Sequence, residues 1–155
     1  MKKKIGIVLL VAFIILQFVR PTRNVSEQIM GENDISKKYA ISEPVHRLLI
    51  KKCYDCHSNN TAYPWYTNIQ PVGLWMQHHV NEGKDELNFS EFKTYPEKRA
   101  NHKIEEISEA FNEGWMPLDS YLWIHKDAKV NQEDRNAINA WIKSLGIVFE
   151  EKSKP

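Results

Sequence analysis

The hydrophobic positions divide the chain into an uncharged N-terminal run and several later segments with helical spacing. The run extends from Ile5 to Val19, between Lys2–Lys4 and Arg20–Pro21. A basic start before an apolar run is typical of an export signal or a signal anchor. As a helix, about 15 residues measure roughly 22 Å, which is short against the hydrocarbon core of about 30 Å in a bilayer. Because no small-x-small cleavage site follows, we expect residues 1–20 to be retained as a transmembrane signal anchor, with a cleaved signal as the alternative.

The flanking charges predict where the rest of the chain lies. The lysines before the apolar run are expected to stay in the cytoplasm, so the chain after Pro21 is exported. This topology predicts a single-pass protein of the bacterial inner membrane with its domain in the periplasm. Residues 21–41 are polar and lack clean periodicity, and we interpret them as a tether.

Four segments after residue 41 have apolar residues spaced for one helix face. They are SEPVHRLLIKKC (42–53), LWMQHHVNEGK (74–84, with the helix starting near Val72), NHKIEEISEAFNEG (101–114) and NQEDRNAINAWIKSLG (131–146). Ser42 and Asn131 are predicted N-caps, and glycines at 83, 114 and 146 are predicted helix ends. The stretch SNNTAYPWYTNIQPVG (58–73) is rich in Asn, Pro and Gly, which predicts a loop.

No strong strand alternation accompanies these helices, so we predict an all-α domain over residues 42–148, with a tail at 149–155. The formal net charge of +1 offers no basic surface for nucleic acid. Five Trp, six Tyr and six Phe supply the bulk of a small aromatic core, or the wall around a flat apolar cofactor.

The only two cysteines lie in the stretch CYDCH, as Cys53 and Cys56, with His57 directly after the second. A redox dithiol expects a βαβ context, which the helical pattern does not offer. A structural zinc site needs four N or S ligands. The adjacent His78 and His79 point about 100° apart on a helix, which makes them a poor second pair. Zinc held by the cysteines and two scattered histidines stays an alternative.

The spacing Cys-x-x-Cys-His is the attachment pattern of c-type haem, and this interpretation uses every residue of the motif. The two thiols bond to the haem vinyl groups, and the following histidine supplies its imidazole to the iron. Export of the domain agrees with this assignment, because such haem attachment takes place outside the cytoplasm. We therefore predict one covalent haem c at Cys53 and Cys56, with His57 as an iron ligand.

The sixth iron ligand has several candidates. Met116 lies in the loop EGWMPLDSY, just past a predicted helix end, where it can reach a haem without distorting a helix. The alternatives are that Met116 fills a gap in the core, and that His78 or His79 gives bis-His ligation. We expect Met76 to belong to the core and His125 to pack rather than to bind iron.

Several blocks of the chain resemble the bacterial haem-binding-domain family. These are CYDCHSNNTAYPWYTNIQPVGLW, HHVNEGKDELNFSEF and WMPLDSYLWIHKDAKVNQEDRNAINAWI, which together span roughly residues 42–145. The resemblance implies a small exported protein, often membrane-anchored, with haem attached at Cys53 and Cys56 and His57 as proximal ligand. It also implies a fold similar to monohaem cytochromes c, in which a Met-Pro loop before the last helix supplies the distal ligand. In this chain that residue is Met116.

These observations predict a membrane-anchored periplasmic cytochrome that passes single electrons between redox protein partners, a carrier rather than an enzyme. A haem-based sensor or small-ligand-binding module is the alternative, and it requires an open or weakly held sixth site. A peroxidase with His78 or His79 as its acid/base group is a third option.

Overall fold

The computed structural model describes residues 1–26, 28 and 30–149. Within this part of the chain it has seven α-helices, four 3₁₀ helices and no strand, which confirms the all-α class. The α-helices are α1 (Lys2–Leu16), α2 (Glu43–Lys52), α3 (Tyr54–His57), α4 (Val72–Glu86), α5 (Glu97–Glu113), α6 (Asp119–Leu122) and α7 (Gln132–Ser144). The 3₁₀ helices are Ile35–Lys37, Trp65–Asn68, Phe89–Thr94 and Lys126–Ala128.

Local capping explains the start of α7 and the end of α5. Ser42 is the N-cap of α2, as predicted. The Asn131 side chain accepts from the Asp134 backbone N–H, and the Asp134 side chain accepts from the Asn131 N–H, at 2.9 and 2.8 Å. This reciprocal capping box satisfies two amide groups at the start of α7. Gly114 ends α5 in the left-handed conformation, with φ of +77°.

The core lies between α2, α3, α5 and α7 and the 3₁₀ helix Phe89–Thr94. Its fully buried large side chains include Leu49, Phe89, Phe92, Ile104 and Ile138. Close packing of these groups is the main apolar contribution to stability. The core therefore sits directly beneath the cysteine motif, whose Tyr54 belongs to it.

A buried lysine joins α2 to the start of α7. The Lys52 ammonium donates to the carbonyl oxygen of Lys129 at 2.7 Å and pairs with Asp134 at 3.0 Å. A buried charge needs such partners, since an unpaired one is costly. Because Lys52 precedes Cys53, this contact fixes where the cysteine motif begins.

Residues 21–41, interpreted from the sequence as a tether, make specific contacts with the domain. Asp34 and Ile35 are fully buried. The Asn24 side chain donates to the Ser58 carbonyl at 2.8 Å, and the Ala40 carbonyl accepts from the Trp141 indole at 3.1 Å. The polar composition of this segment suggested a solvated tether, but Asp34 and Ile35 are packed inside the domain.

Two further predictions concern the ends of elements. Gly83 was predicted to end the helix that starts at Val72, and this is wrong because α4 continues to Glu86. Of the predicted tail, residues 150–155 lie outside the described residues.

Helix α1 covers most of the apolar N-terminal run. None of its residues is buried. Among the described residues, no helix combines the length and the hydropathy needed to cross a membrane.

Candidate functional site

The cysteine motif forms a single helical turn at the end of α2. Cys53 is the C-cap of α2, and its carbonyl oxygen accepts from the backbone N–H groups of Cys56 and His57 at 3.2 and 3.0 Å. Residues three and four apart in a helix lie on the same side. The turn therefore groups both thiols and the imidazole on one short element.

His57 is oriented by a backbone hydrogen bond. Its Nδ1 lies 3.1 Å from the carbonyl oxygen of Leu87, and its ring meets Phe89 edge-on at 6.5 Å between centroids. A carbonyl only accepts, so Nδ1 carries the proton and Nε2 keeps its lone pair. Burial lowers the pKa of His57, which favours the neutral imidazole. This is the arrangement in which a histidine binds a metal ion through Nε2.

Helix α4 approaches the motif closely at Gly83. A Cβ placed on Gly83 would lie 2.7 Å from the carbonyl oxygen of Cys56 and 3.2 Å from its Cβ. Only glycine allows this approach without a shift of one backbone. Gly83 is therefore a packing residue inside α4 rather than the helix end that its type suggested.

The two cysteines are half-buried free thiols. Burial raises the pKa of Cys53 to about 12 and that of Cys56 to about 11. A reactive redox dithiol has a lowered pKa instead, because the thiolate is its nucleophile. These thiols are protonated at neutral pH, which disfavours the redox interpretation.

Asp55, between the cysteines, connects the motif to α6. Its carboxylate accepts from the Tyr121 hydroxyl at 2.7 Å. The Tyr121 ring stacks on His125, with centroids 4.1 Å apart. The bond from Tyr121 to Asp55 fixes α6 against the motif, and Met116 lies five positions before Tyr121 in the chain.

Comparison with known proteins agrees with this geometry. The sequence model of a family described as "Haem-binding domain" matches residues 11–144. The chain belongs to the haem-binding-domain family. No curated protein and no solved structure matches the chain.

Membership of the haem-binding-domain family identifies haem as the cofactor, and the residues around the motif fit such a group. His57 presents an oriented nitrogen, and two thiols lie within one turn of it. Two apolar side chains flank Met116 and stay exposed, Trp115 by 49% and Leu118 by 39%. Exposed apolar groups of this size next to a candidate ligand suit contact with a flat apolar ring.

The structure separates the candidate distal ligands by their surroundings. Met116 is half-buried in the loop that precedes α6. His78 is mostly exposed and lies 3.3 Å from Glu82. His79 is 28% exposed, with its ring against Trp75 at 4.5 Å and Nδ1 3.5 Å from Glu82. Met116 stays the predicted distal ligand, with His78 and His79 as the alternatives.

The zinc alternative finds no support in the described part of the chain. No group of three or more His, Cys, Asp or Glu side chains is arranged there to hold a metal ion. A structural zinc site needs four such ligands in a tetrahedron.

Two positioning contacts of the motif were missed by sequence reasoning. The Tyr54 hydroxyl donates to the buried carboxylate of Asp34 at 2.8 Å, and His46 lies 3.4 Å from the same hydroxyl. The second contact is the bond from Tyr121 to Asp55. Both use the two residues between the cysteines, which the attachment pattern leaves unspecified.

Replacing Tyr121 by phenylalanine tests the second contact. Loss of a hydrogen bond to a carboxylate is expected to lower the free energy of unfolding by about 1.5–3 kcal/mol. Urea unfolding measures this change. Tyr66→Phe is the matched control, because within the described residues the Tyr66 hydroxyl has no hydrogen bond. An equal effect of both variants would contradict the role of Tyr121.

Proposed function

We propose that this haem-binding protein is a membrane-anchored, periplasmic c-type cytochrome that transfers one electron at a time between protein partners. The proposal rests above all on His57, whose Nδ1 lies 3.1 Å from the Leu87 carbonyl oxygen and whose ring lies within one helical turn of both cysteines. Haem, when bound, supplies an iron that cycles between two oxidation states.

The thiols of Cys53 and Cys56 are suited to covalent attachment. Cys53 and Cys56 would hold the haem through thioether bonds: each S–H would add across one vinyl group, with sulfur on one vinyl carbon and the hydrogen on the other. The addition needs no oxidant or reductant beyond the reduced thiol. Attachment requires both cysteines in the reduced form, since a disulfide between them would leave no thiol to add; both are free thiols here.

Electron transfer is favoured by a site that changes little between oxidation states. Three hydrogen bonds hold the motif. Tyr54 donates to Asp34, Tyr121 donates to Asp55, and His57 donates to the Leu87 carbonyl oxygen. A satisfied hydrogen-bond network of this kind rigidifies its surroundings. His57 and Met116 as the two axial ligands would raise the reduction potential, as in cytochromes c.

Anchoring and export are supported by the character of α1. The consecutive residues Ile7, Val8 and Leu9 are 62%, 66% and 65% exposed, so the helix is apolar on every side. A helix of this kind needs an apolar environment all round. The lysines before it favour a cytoplasmic N-terminus and a periplasmic domain.

The experiment that tests this function is a set of visible spectra of the full chain, produced together with a haem-maturation system. We expect a low-spin spectrum with a far-red sulfur-to-iron band that carbon monoxide does not change in the reduced protein. Met116→Ala is expected to abolish the band and to open the iron to carbon monoxide, because the distal ligand is lost.

Met76→Ala serves as the control, since Met76 is a half-buried methionine of α4. Loss of the band in Met76→Ala instead would reassign the ligand. A high-spin spectrum or rapid carbon monoxide binding in the parent protein would favour a sensor or peroxidase over a carrier. Haem that is extracted by acidified solvent would contradict covalent attachment.

A further inference from the structure

Four large apolar side chains form an exposed surface around the start of α4. They are Trp65, Ile69, Val72 and Trp75, which we call the 65–75 surface, and they are 75%, 42%, 39% and 47% exposed. They occur within eleven consecutive positions, between 65 and 75. Clustered exposed groups of this size, with two tryptophans, mark a contact surface rather than ordinary scatter.

The 65–75 surface is hydrogen-bonded to the end of α1. The Gln17 side chain donates to the carbonyl of Gln70 at 3.1 Å and accepts from the Gln70 N–H at 2.9 Å. The Gln70 side chain donates to the carbonyl of Val19 at 3.0 Å, and Arg20 donates to that of Asn68 at 2.6 Å. Ile69 thus lies between two residues that both bind the α1 end.

This connection leaves no spacer between α1 and the domain. Gln17 directly follows the last residue of α1, so the first domain contact comes within one residue of the helix end. A helix of 15 residues is roughly 22 Å long, while a hydrocarbon core is about 30 Å thick. If α1 is in the membrane, its short length draws the bound loop into the interface.

The 65–75 surface is also held rigidly. Gln70 is 1% exposed, and its Oε1 accepts from the Leu74 N–H at 2.9 Å, which caps the start of α4. A Cβ on Gly73 would lie 2.2 Å from the Thr67 carbonyl oxygen, so α4 packs tightly on the preceding 3₁₀ helix. One side chain, Gln70, therefore fixes both α1 and α4.

We propose that the 65–75 surface lies in the interface of the lipid bilayer and fixes the orientation of the haem domain on the membrane. The inference rests on the proposed anchoring by α1. Tryptophan favours this interface, where its ring meets apolar chains and its N–H meets water. Arg20 and Arg23 beside the surface match the anionic headgroups. The membrane then limits the directions from which a redox partner approaches the haem.

The test uses the full-length, haem-loaded protein in vesicles of phosphatidylcholine and phosphatidylglycerol that contain two photoreactive phospholipids, one with the reactive group in its acyl chain to report α1 and one with it in its headgroup to report the interface. After illumination, labelled positions are found by mass spectrometry. We expect label on α1 and on residues 65–75, several-fold above the label at Trp123, a matched tryptophan that is 74% exposed. The double variant Trp65→Ser/Trp75→Ser is expected to lose the label between 65 and 75 with an unchanged visible spectrum.

Each other outcome overturns the inference in a recognisable way. Label on α1 without label on residues 65–75 would refute the surface and leave the anchor standing. Absence of label on both would refute the anchor and this inference together, while the spectra still test haem attachment. A shifted haem spectrum in the double variant, but not in Trp123→Ser, would show that the two tryptophans cover haem instead of lipid.

Discussion

Gly83→Ala is expected to destabilise the protein and to lower its content of covalent haem. Alanine improves helix propensity by about 1 kcal/mol over glycine. The added methyl, however, would lie 2.7 Å from the Cys56 carbonyl oxygen, and both groups in this contact belong to packed backbone. Overpacking of this kind costs about 1–3 kcal/mol, so the expected net loss is up to about 2 kcal/mol. Urea unfolding measures it.

The same substitution also displaces Cys56 relative to His57. Because attachment needs the thiol and the imidazole in one fixed turn, we expect a lower yield of haem that survives acid extraction. Gly31→Ala is the control, since a Cβ at Gly31 meets nothing within 4 Å. Unchanged stability and haem yield in Gly83→Ala would contradict the close approach of α4 to the motif.

Asp34→Ala is expected to have the larger effect on stability. The Asp34 carboxylate is fully buried and accepts from the Tyr54 hydroxyl at 2.8 Å and from the Ser36 hydroxyl at 2.6 Å. Burial and the nearby carboxylate raise the pKa of Tyr54, so its hydroxyl stays a donor. Removing the acceptor leaves buried donors unpaired, which costs about 1–3 kcal/mol each and here about 2–4 kcal/mol in total.

A double-mutant cycle with Tyr54→Phe separates the energy of the Asp34–Tyr54 hydrogen bond from nonspecific destabilisation by either substitution. The two residues touch, so we expect a coupling energy of about 1 kcal/mol or more in urea unfolding. The control is Glu43→Ala, which removes an exposed carboxylate paired with Arg47 and should change the stability by less than about 0.5 kcal/mol. Additive effects of Asp34→Ala and Tyr54→Phe would contradict a direct role of Asp34 in holding the motif.

Helix ends were predicted correctly where the residues that define them lie close together in the sequence. Ser42, Asn131 and Gly114 were predicted at three helix ends and occupy them. Asn131 and Gly114 do so through capping, which uses backbone groups within a few residues, whereas Ser42 makes no side-chain capping bond. The motif CYDCH is likewise local, and the structure shows it as one helical turn. The family match agrees with the haem that this motif predicts.

Residue type predicted the structure less well where a residue contacts another that is far away in the chain. Gly83 has the residue type of a helix end, but the close approach of Cys56 explains it. Residues 21–41 are polar enough for a tether, yet Asp34 and Ile35 enter the core. In both cases the deciding neighbour is more than 15 positions away, beyond the reach of any local pattern.

The sequence by itself therefore determined the all-α class, several helix ends such as those at Gly114 and Asn131, and the motif that places two cysteines beside a histidine. Only the tertiary structure decided how that turn is oriented. The Leu87 carbonyl selects the His57 tautomer, Asp34 and Tyr121 fix the residues between the cysteines, and Gln70 joins α1 to the domain. Each of these contacts consists of one to three hydrogen bonds between residues far apart in the chain. Such bonds leave no periodicity in the sequence, because their geometry exists only once the helices have packed.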